Sequence, residues 1–352
     1  MKFMAHTVLN NEPDPDGHIP HPADRLHELI EHAVKLEDMG FDGFGVGERH
    51  VAPDIGSSPA TVLAYLAART TRMRLMTAVT VLSLLDPVRV AEDYATIDNL
   101  SRGRVDLIIG KGTRGGQADL FGIDLDEKWT LLREKYELLR RLWREENITW
   151  SGTVRTPLRN VTIQPRPFQR PPRIWHGSAS STESTELAAK WGDPLFSANA
   201  MKPVQVYVDL VNHYRQRLTE YGHAPETARV GMGVAGLVIA DRSQDAIAAY
   251  RPSWEHGMRR WVTDGFAFPF DSLEDFIARG SLLVGSPQFI VERILQLHEL
   301  FGNELLNVGS AGEGLPPKIR NRSLELFAEK VMPAVRAAVP SRLWEPQDLG
   351  TP

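Results

Sequence analysis

Short apolar runs alternate with amphipathic stretches along the whole chain. Residues 2–9 (KFMAHTVL) read as a strand. Residues 24–39 place Leu26, Leu29, Ile30, Ala33, Val34 and Leu36 on one helical face, with Asp24 near the start and Gly40 as the stop. A short run at 41–46 follows, then a helix at 58–70 with Ser58 as its cap and Pro59 in its first turn. The pattern continues with a Thr/Val-rich strand at 74–82, a helix at 87–100, a buried strand at 105–109 ending at Gly110, and a long helix at 129–144. The rhythm breaks at 146–173, where Gly152, Pro157, Pro165, Pro167, Pro171 and Pro172 fall together. Ile148, Trp150, Val161 and Ile163 are interspersed, so this is an excursion with a short hairpin and not a linker. Beyond it, strands at 173–176, 194–197, 230–240 and 304–308 alternate with helices at 182–191, 204–221, 243–259, 287–301 and 316–338. Residues 263–281 are rich in Gly, Phe and Pro and read as irregular.

Eight strand–helix units in order predict an α/β protein with a parallel sheet and helices outside it. Eight units favour a closed (β/α)8 TIM-type barrel, with insertions after the strands, over an open sheet. The expected organisation is one barrel domain over residues 1–335 and a loosely attached tail over 336–352. The chain lacks cysteine, which excludes a disulfide framework, a thiolate metal site and a cysteine nucleophile. A net charge of −5 argues against a nucleic-acid binder, which carries a basic excess. No apolar run approaches the roughly 20 residues of a membrane span. The N-terminus, one Lys followed by polar and acidic residues, is not a signal peptide. A soluble cytoplasmic enzyme is the expectation.

In such a barrel the chemistry sits at the C-terminal ends of the strands. Two strand-end segments suit an anion. GKGTRGG (110–116) offers a cation, a hydroxyl and glycines that let backbone N–H groups approach a ligand, and it would equally serve as a solvated loop. GSASST (177–182) lies at the mouth of a helix, where free N–H groups favour a phosphate, and it would equally be plain N-capping. Glu48-Arg49-His50 puts an acid, a cation and a titratable base at one strand end, either for chemistry or as a salt-bridged structural cluster. The eleven His show no metal-ligand spacing, so no metal site is expected. Gly231, Gly233 and Gly236 match G-x-G-x-x-G but open no helix. Trp143, Trp150, Trp175 and Trp191 read as packing before cofactor lining. Phe266, Phe268 and Phe270 fall in the irregular segment, which is either a lid over the site or a loop with an apolar underside.

Several stretches together resemble the bacterial luciferase-like flavin monooxygenases: GFDGFGVGERH, then residues 57–112 ending in IIGKG, then IWHGSASSTESTELAAKWGDPLF, then GSPQFIVERILQLHELFG and LFAEKVMPAVR. The resemblance covers about residues 1–335 and implies the same barrel. It also implies reduced FMN, supplied by a separate NAD(P)H flavin reductase, reacting with O2 through a C4a-hydroperoxide to oxygenate a small organic substrate. It carries phosphate contacts onto Lys111, Gly112, Thr113, Ser178, Ser181 and Thr182, and a non-proline cis peptide beneath the flavin onto Ala78–Val79. Ala78, Val79, Val81 and Leu82 would line the ring pocket. The luciferases proper have E-H-H where this chain has Glu48-Arg49-His50. Arg stays protonated and is no general base, so His50 remains as the base and light emission is not expected. The alternatives are a deazaflavin-dependent oxidoreductase on the same barrel, and a flavin-binding protein without turnover. A homodimer is expected from the resemblance.

Overall fold

The computed structural model describes residues 1–13, 17–112, 115–263, 268–310 and 315–345. The first half runs β1 (Lys2–Thr7), α1 (Pro22–Asp38), β2 (Gly43–Val46), α2 (Pro59–Arg69), β3 (Arg74–Thr77), β4 (Thr80–Val81), α3 (Pro87–Ser101), β5 (Val105–Gly110), α4 (Gly115–Phe121) and α5 (Lys128–Arg144). A hairpin of β6 (Ile148–Trp150) and β7 (Leu158–Val161) follows, antiparallel as the excursion predicts. The second half runs β8 (Arg173–Ser178), α6 (Thr182–Trp191), β9 (Leu195–Ser197), α7 (Val204–Glu220), β10 (Val230–Gly233), β11 (Leu237–Ile239), α8 (Ser243–Thr263), α9 (Leu273–Arg279), β12 (Leu283–Gly285), α10 (Pro287–Phe301), β13 (Leu305–Asn307), α11 (Pro317–Leu326) and α12 (Met332–Ala338).

The strands hydrogen-bond in the order β3-β2-β1-β13-β10-β9-β8-β5, and β3 pairs with β5 to close the ring. This is the eight-stranded parallel (β/α)8 topology predicted from the alternation. Its strands are short and buried on both faces, as GFGV in β2 and LLN in β13 illustrate, which is the habit of parallel strands covered by helices.

Four expectations need correction. The strand at 74–82 is two strands, β3 and β4, separated by the Ala78–Val79 cis peptide that the resemblance implies. The strand at 230–240 is also two. The chain leaves the ladder after Gly233, whose Cβ would meet the Ala198 carbonyl oxygen at 2.6 Å, so only glycine fits that approach. The second part, β11, pairs in parallel with β12 as a separate two-stranded sheet. Residues 263–281 are not wholly irregular: Ser272 accepts from Asp275 N at 3.1 Å and opens α9. The last helix is broken by a π turn at Phe327–Val331. Pro333 has no N–H to give to the residue 329 carbonyl, and the helix widens just before it.

By contacts the chain forms two compact units. One comprises Met1–His6, Met39–Phe41 and Gly177–Leu343. Its core includes Phe3 edge-on to Phe327 at 5.3 Å, and a cluster of Val238, Ala246, Leu273, Phe276, Leu282 and Val284. The other comprises residues 7–38, 42–176 and the chain from Trp344. Leu75, Met76, Leu107, Ile108 and Trp175 are its buried centre. At the strand starts of this unit, buried Arg74 pairs with Asp106 and also donates to Gln169 Oε1 at 3.0 Å. The indoles of Trp175 and Trp344 both donate to Asp106 Oδ2, at 3.1 and 2.8 Å. Trp344, within the segment expected to be a tail, is tied down by its indole N–H on that buried carboxylate.

Candidate active site

Glu48 leaves the end of β2 and reaches the turn between β3 and β4. Its backbone N–H donates to Val79 O at 3.1 Å, and its Oε2 accepts from Val81 N at 2.9 Å. Oε1 lies 3.0 Å from His50 Nε2, and both side chains are buried. A carboxylate only accepts, so His50 Nε2 carries the hydrogen and Nδ1 is left as the basic nitrogen. The imidazole is also edge-on to the Phe121 ring at 4.7 Å. Glu48 and His50 of the ERH triplet therefore form a buried hydrogen-bonded pair, a contact that fits either reading of the triplet. Arg49 points elsewhere and lies 3.8 Å from Asp54 Oδ1 as an ion pair.

The second strand-end segment of this unit follows β5. Gly110 lies against Val79, where a Cβ would sit 2.8 Å from Val79 Cγ2. Gly112 has φ +71° and also lies close, with a Cβ position 2.8 Å from Val81 Cγ1. A side chain is excluded at both, so this loop offers backbone rather than bulk. Lys111 between them places its ammonium 4.4 Å from the Trp129 ring centre. Thr113 lies outside the described residues. Of the apolar residues expected to face the flavin ring, Ala78 and Val79 keep partial exposure, whereas Val81 and Leu82 are buried in the core.

The GSASST segment belongs to the other unit. Ser178 is buried, and its hydroxyl donates to Ser181 O at 2.9 Å while accepting from Ser181 N at 3.1 Å. Ser181 is the N-cap of α6, accepting from Ser184 N, and its hydroxyl donates to Glu183 Oε2 at 2.8 Å. Thr182 opens the helix. The capping reading is thus realised, and it leaves the N-terminal turn of α6 as the anion-favouring element. In the same unit His6 at the end of β1 meets Asn307 at the end of β13. Gly309 N donates to Asn307 Oδ1 at 3.0 Å, and His6 Nδ1 lies 3.0 Å from the Asn307 amide nitrogen and 3.2 Å from its Oδ1.

The tryptophans divide as packing. Trp175 is fully buried on Asp106, and Trp143 donates to Ala91 O at 3.0 Å. Phe268 and Phe270 pack with Phe276 at 5.2 and 4.6 Å, an apolar underside, while Phe266 lies outside the described residues. Among the described residues no group of three or more His, Asp or Glu is placed to hold a metal ion, and no helix is long and apolar enough to cross a membrane. Sequence reasoning missed Trp129, Lys135 and Asn307. Lys135 had a readable signal, since it falls in the apolar stripe of Leu131, Leu132, Leu138, Leu139 and Leu142.

Residues 1–304 match the profile of the Luciferase-like monooxygenase family. Limonene 1,2-monooxygenase of Rhodococcus erythropolis is 28% identical over 326 residues, 90% of this chain and 82% of its own. The FMNH(2)-dependent dimethylsulfone monooxygenase of Pseudomonas fluorescens is 25% identical over 266 residues, 71% of this chain and 70% of its own. An F420-dependent glucose-6-phosphate dehydrogenase of Amycolatopsis mediterranei is 30% identical over 191 residues, 52% of this chain and 56% of its own. The crystal structure of monooxygenase RslO1 from Streptomyces bottropensis superposes with a TM-score of 0.77 at 26% identity, covering 95% of this chain and 99% of that one. Motifs, strand order and profile agree, and the chain belongs to the luciferase-like monooxygenase family.

Proposed function

We propose that this chain is an FMN-dependent monooxygenase. It takes reduced FMN from a separate NAD(P)H flavin reductase and uses O2 to oxygenate a small organic substrate without emitting light. The observation that carries this reading is the buried Glu48–His50 pair, fastened to the turn that holds Ala78–Val79. Bound reduced flavin would supply the activation of O2. The protein's part is to hold the cofactor, keep water out and move a proton. The residues present fit such a group. The side-chain-free approaches at Gly110 and Gly112 let backbone meet a ligand, and Lys111 adds a cation. Lys111, Gly112 and Thr113 are proposed as phosphate contacts in one unit; Ser178, Ser181 and Thr182, in the other, are proposed as phosphate contacts on the resemblance alone. Ala78 and Val79 are proposed to lie beneath the ring. His50 Nδ1 is the atom that takes or returns the proton, and Glu48 fixes its tautomer and balances the imidazolium. Arg49 is permanently charged and is not a base, and the anion beside it here is the Asp54 carboxylate.

A second reading is hydride transfer with a deazaflavin and no O2. It rests on the F420-dependent relative over half the chain. Anaerobic titration with reduced FMN and with reduced deazaflavin separates the two, followed by admission of O2. Preferential binding of reduced FMN, with O2 uptake matched by oxygenated product when candidate substrates are present, supports the monooxygenase. Binding of the deazaflavin alone overturns it.

A further inference from the structure

Helix α5 carries an ammonium where packing alone would place a leucine. Lys135 is 6% exposed and lies among buried Leu131, Leu132, Tyr136, Leu138 and Leu139. Burying a charge is unfavourable unless it is hydrogen-bonded, so the lysine needs a reason to be there. Its Nζ donates to Ser83 O at 2.6 Å, just past β4. The Ser83 hydroxyl in turn donates to Lys111 O at 2.7 Å, just past β5. The other end of Lys111 rests on α5 as well, since its ammonium sits over the ring of Trp129, six positions before Lys135 in the same helix. Lys111 is therefore held at its carbonyl through Ser83 and at its ammonium by Trp129. Both supports come from one helix, and all four residues lie in the same compact unit.

We propose that Lys135 and Ser83 are positioning residues for Lys111: the chain Lys135–Ser83–Lys111 sets the loop after β5 so that the Lys111 ammonium meets a phosphate monoester. This rests on the phosphate reading of Lys111 given above. Burial pushes the Lys135 ammonium toward neutrality and the Asp86 carboxylate opposes that, so the charge has its own support at the base of the chain. Neither residue touches the ligand. Their effect is selective: it acts on the phosphate and leaves affinity for the flavin ring alone.

The test is a double-mutant cycle on the full chain, reading anaerobic dissociation constants for reduced FMN and reduced riboflavin together with melting temperature. Lys111→Ala is expected to remove most of the preference for FMN over riboflavin. Ser83→Ala is expected to weaken FMN by about fivefold, the worth of one hydrogen bond, with riboflavin unchanged. In the Lys111→Ala background, Ser83→Ala should have no further effect on FMN. Lys135→Met should repeat the selective loss, and if it does not fold the Ser83 cycle decides alone. Equal loss of FMN and riboflavin affinity in Ser83→Ala, or a full effect persisting without Lys111, overturns the positioning role. An unchanged FMN preference in Lys111→Ala removes the phosphate assignment itself, and the proposal with it.

Discussion

Glu48 uses its two oxygens for different purposes, one on the Val81 backbone and one on His50. Glu48→Gln can satisfy Val81 with its carbonyl, and its NH2 then faces His50 Nε2, which must accept instead of donate. The basic lone pair moves from Nδ1 to Nε2, on the wrong side of the ring. We expect turnover to fall about a hundredfold while reduced FMN still binds, measured as product formed at saturating cofactor and O2. Full activity in the Glu48→Gln variant removes His50 from proton transfer. Glu37 makes a different residue-scale prediction. Burial works to raise its pKa, but the backbone N–H groups of Arg72, Met73 and Thr71, with the Arg72 charge, hold it below the ordinary glutamate value. A carboxylate with a depressed folded-state pKa contributes stability that is fully present above the unfolded value and is lost as pH falls through the folded one. Glu37→Gln should therefore lower stability at neutral pH and flatten its acid-side decline, which chemical denaturation at pH 7 and below pH 4 reads directly.

At the scale of elements, the rules that place helices were legible because they are local. Asp86 accepts from Val88 N at 2.8 Å and from Arg89 N at 3.3 Å, with Pro87 behind it, and α3 starts there. Asp86→Ala should cost about 1–2 kcal/mol in denaturant titration, because a cap is lost and buried Lys135 loses the carboxylate that favours its charge, while the ion pair with Arg155 adds little. Strand ends were less legible. Nothing in the local composition of residues 230–240 says that β11 abandons the ring for β12, because that partner lies 46 positions on. The split of residues 74–82 was visible only through the family resemblance, which brought the Ala78–Val79 peptide with it. Of the candidate site, the ERH triplet and the GKG loop were readable as residue types at strand ends. Trp129 beneath Lys111 was not, because a cation over a ring is a tertiary event.

For the whole molecule, the barrel was readable from order alone: eight alternations leave few topologies, and the β3–β5 pairing closes the ring. The contact of Trp344 was not legible, because its partner is one buried residue far upstream. Asp106 is fully buried, faces Arg74 and receives two indole N–H groups. Asp106→Ala strands the Arg74 charge and should cost roughly 3–5 kcal/mol, seen as a large fall in the denaturation midpoint or as failure to accumulate folded protein. Trp344→Ala removes one donor and leaves Trp175 in place. A melting temperature lower by a few degrees, with turnover unchanged, is expected.

That anchor also decides how the protein is best handled. Asp106 is the second residue of β5 and Lys111 follows the strand's end, so about 13 Å of strand separates Asp106 from Gly110, where the proposed cofactor loop begins. Any truncation or cleavage site should leave Trp344 in place, because its indole serves a buried carboxylate near the start of β5.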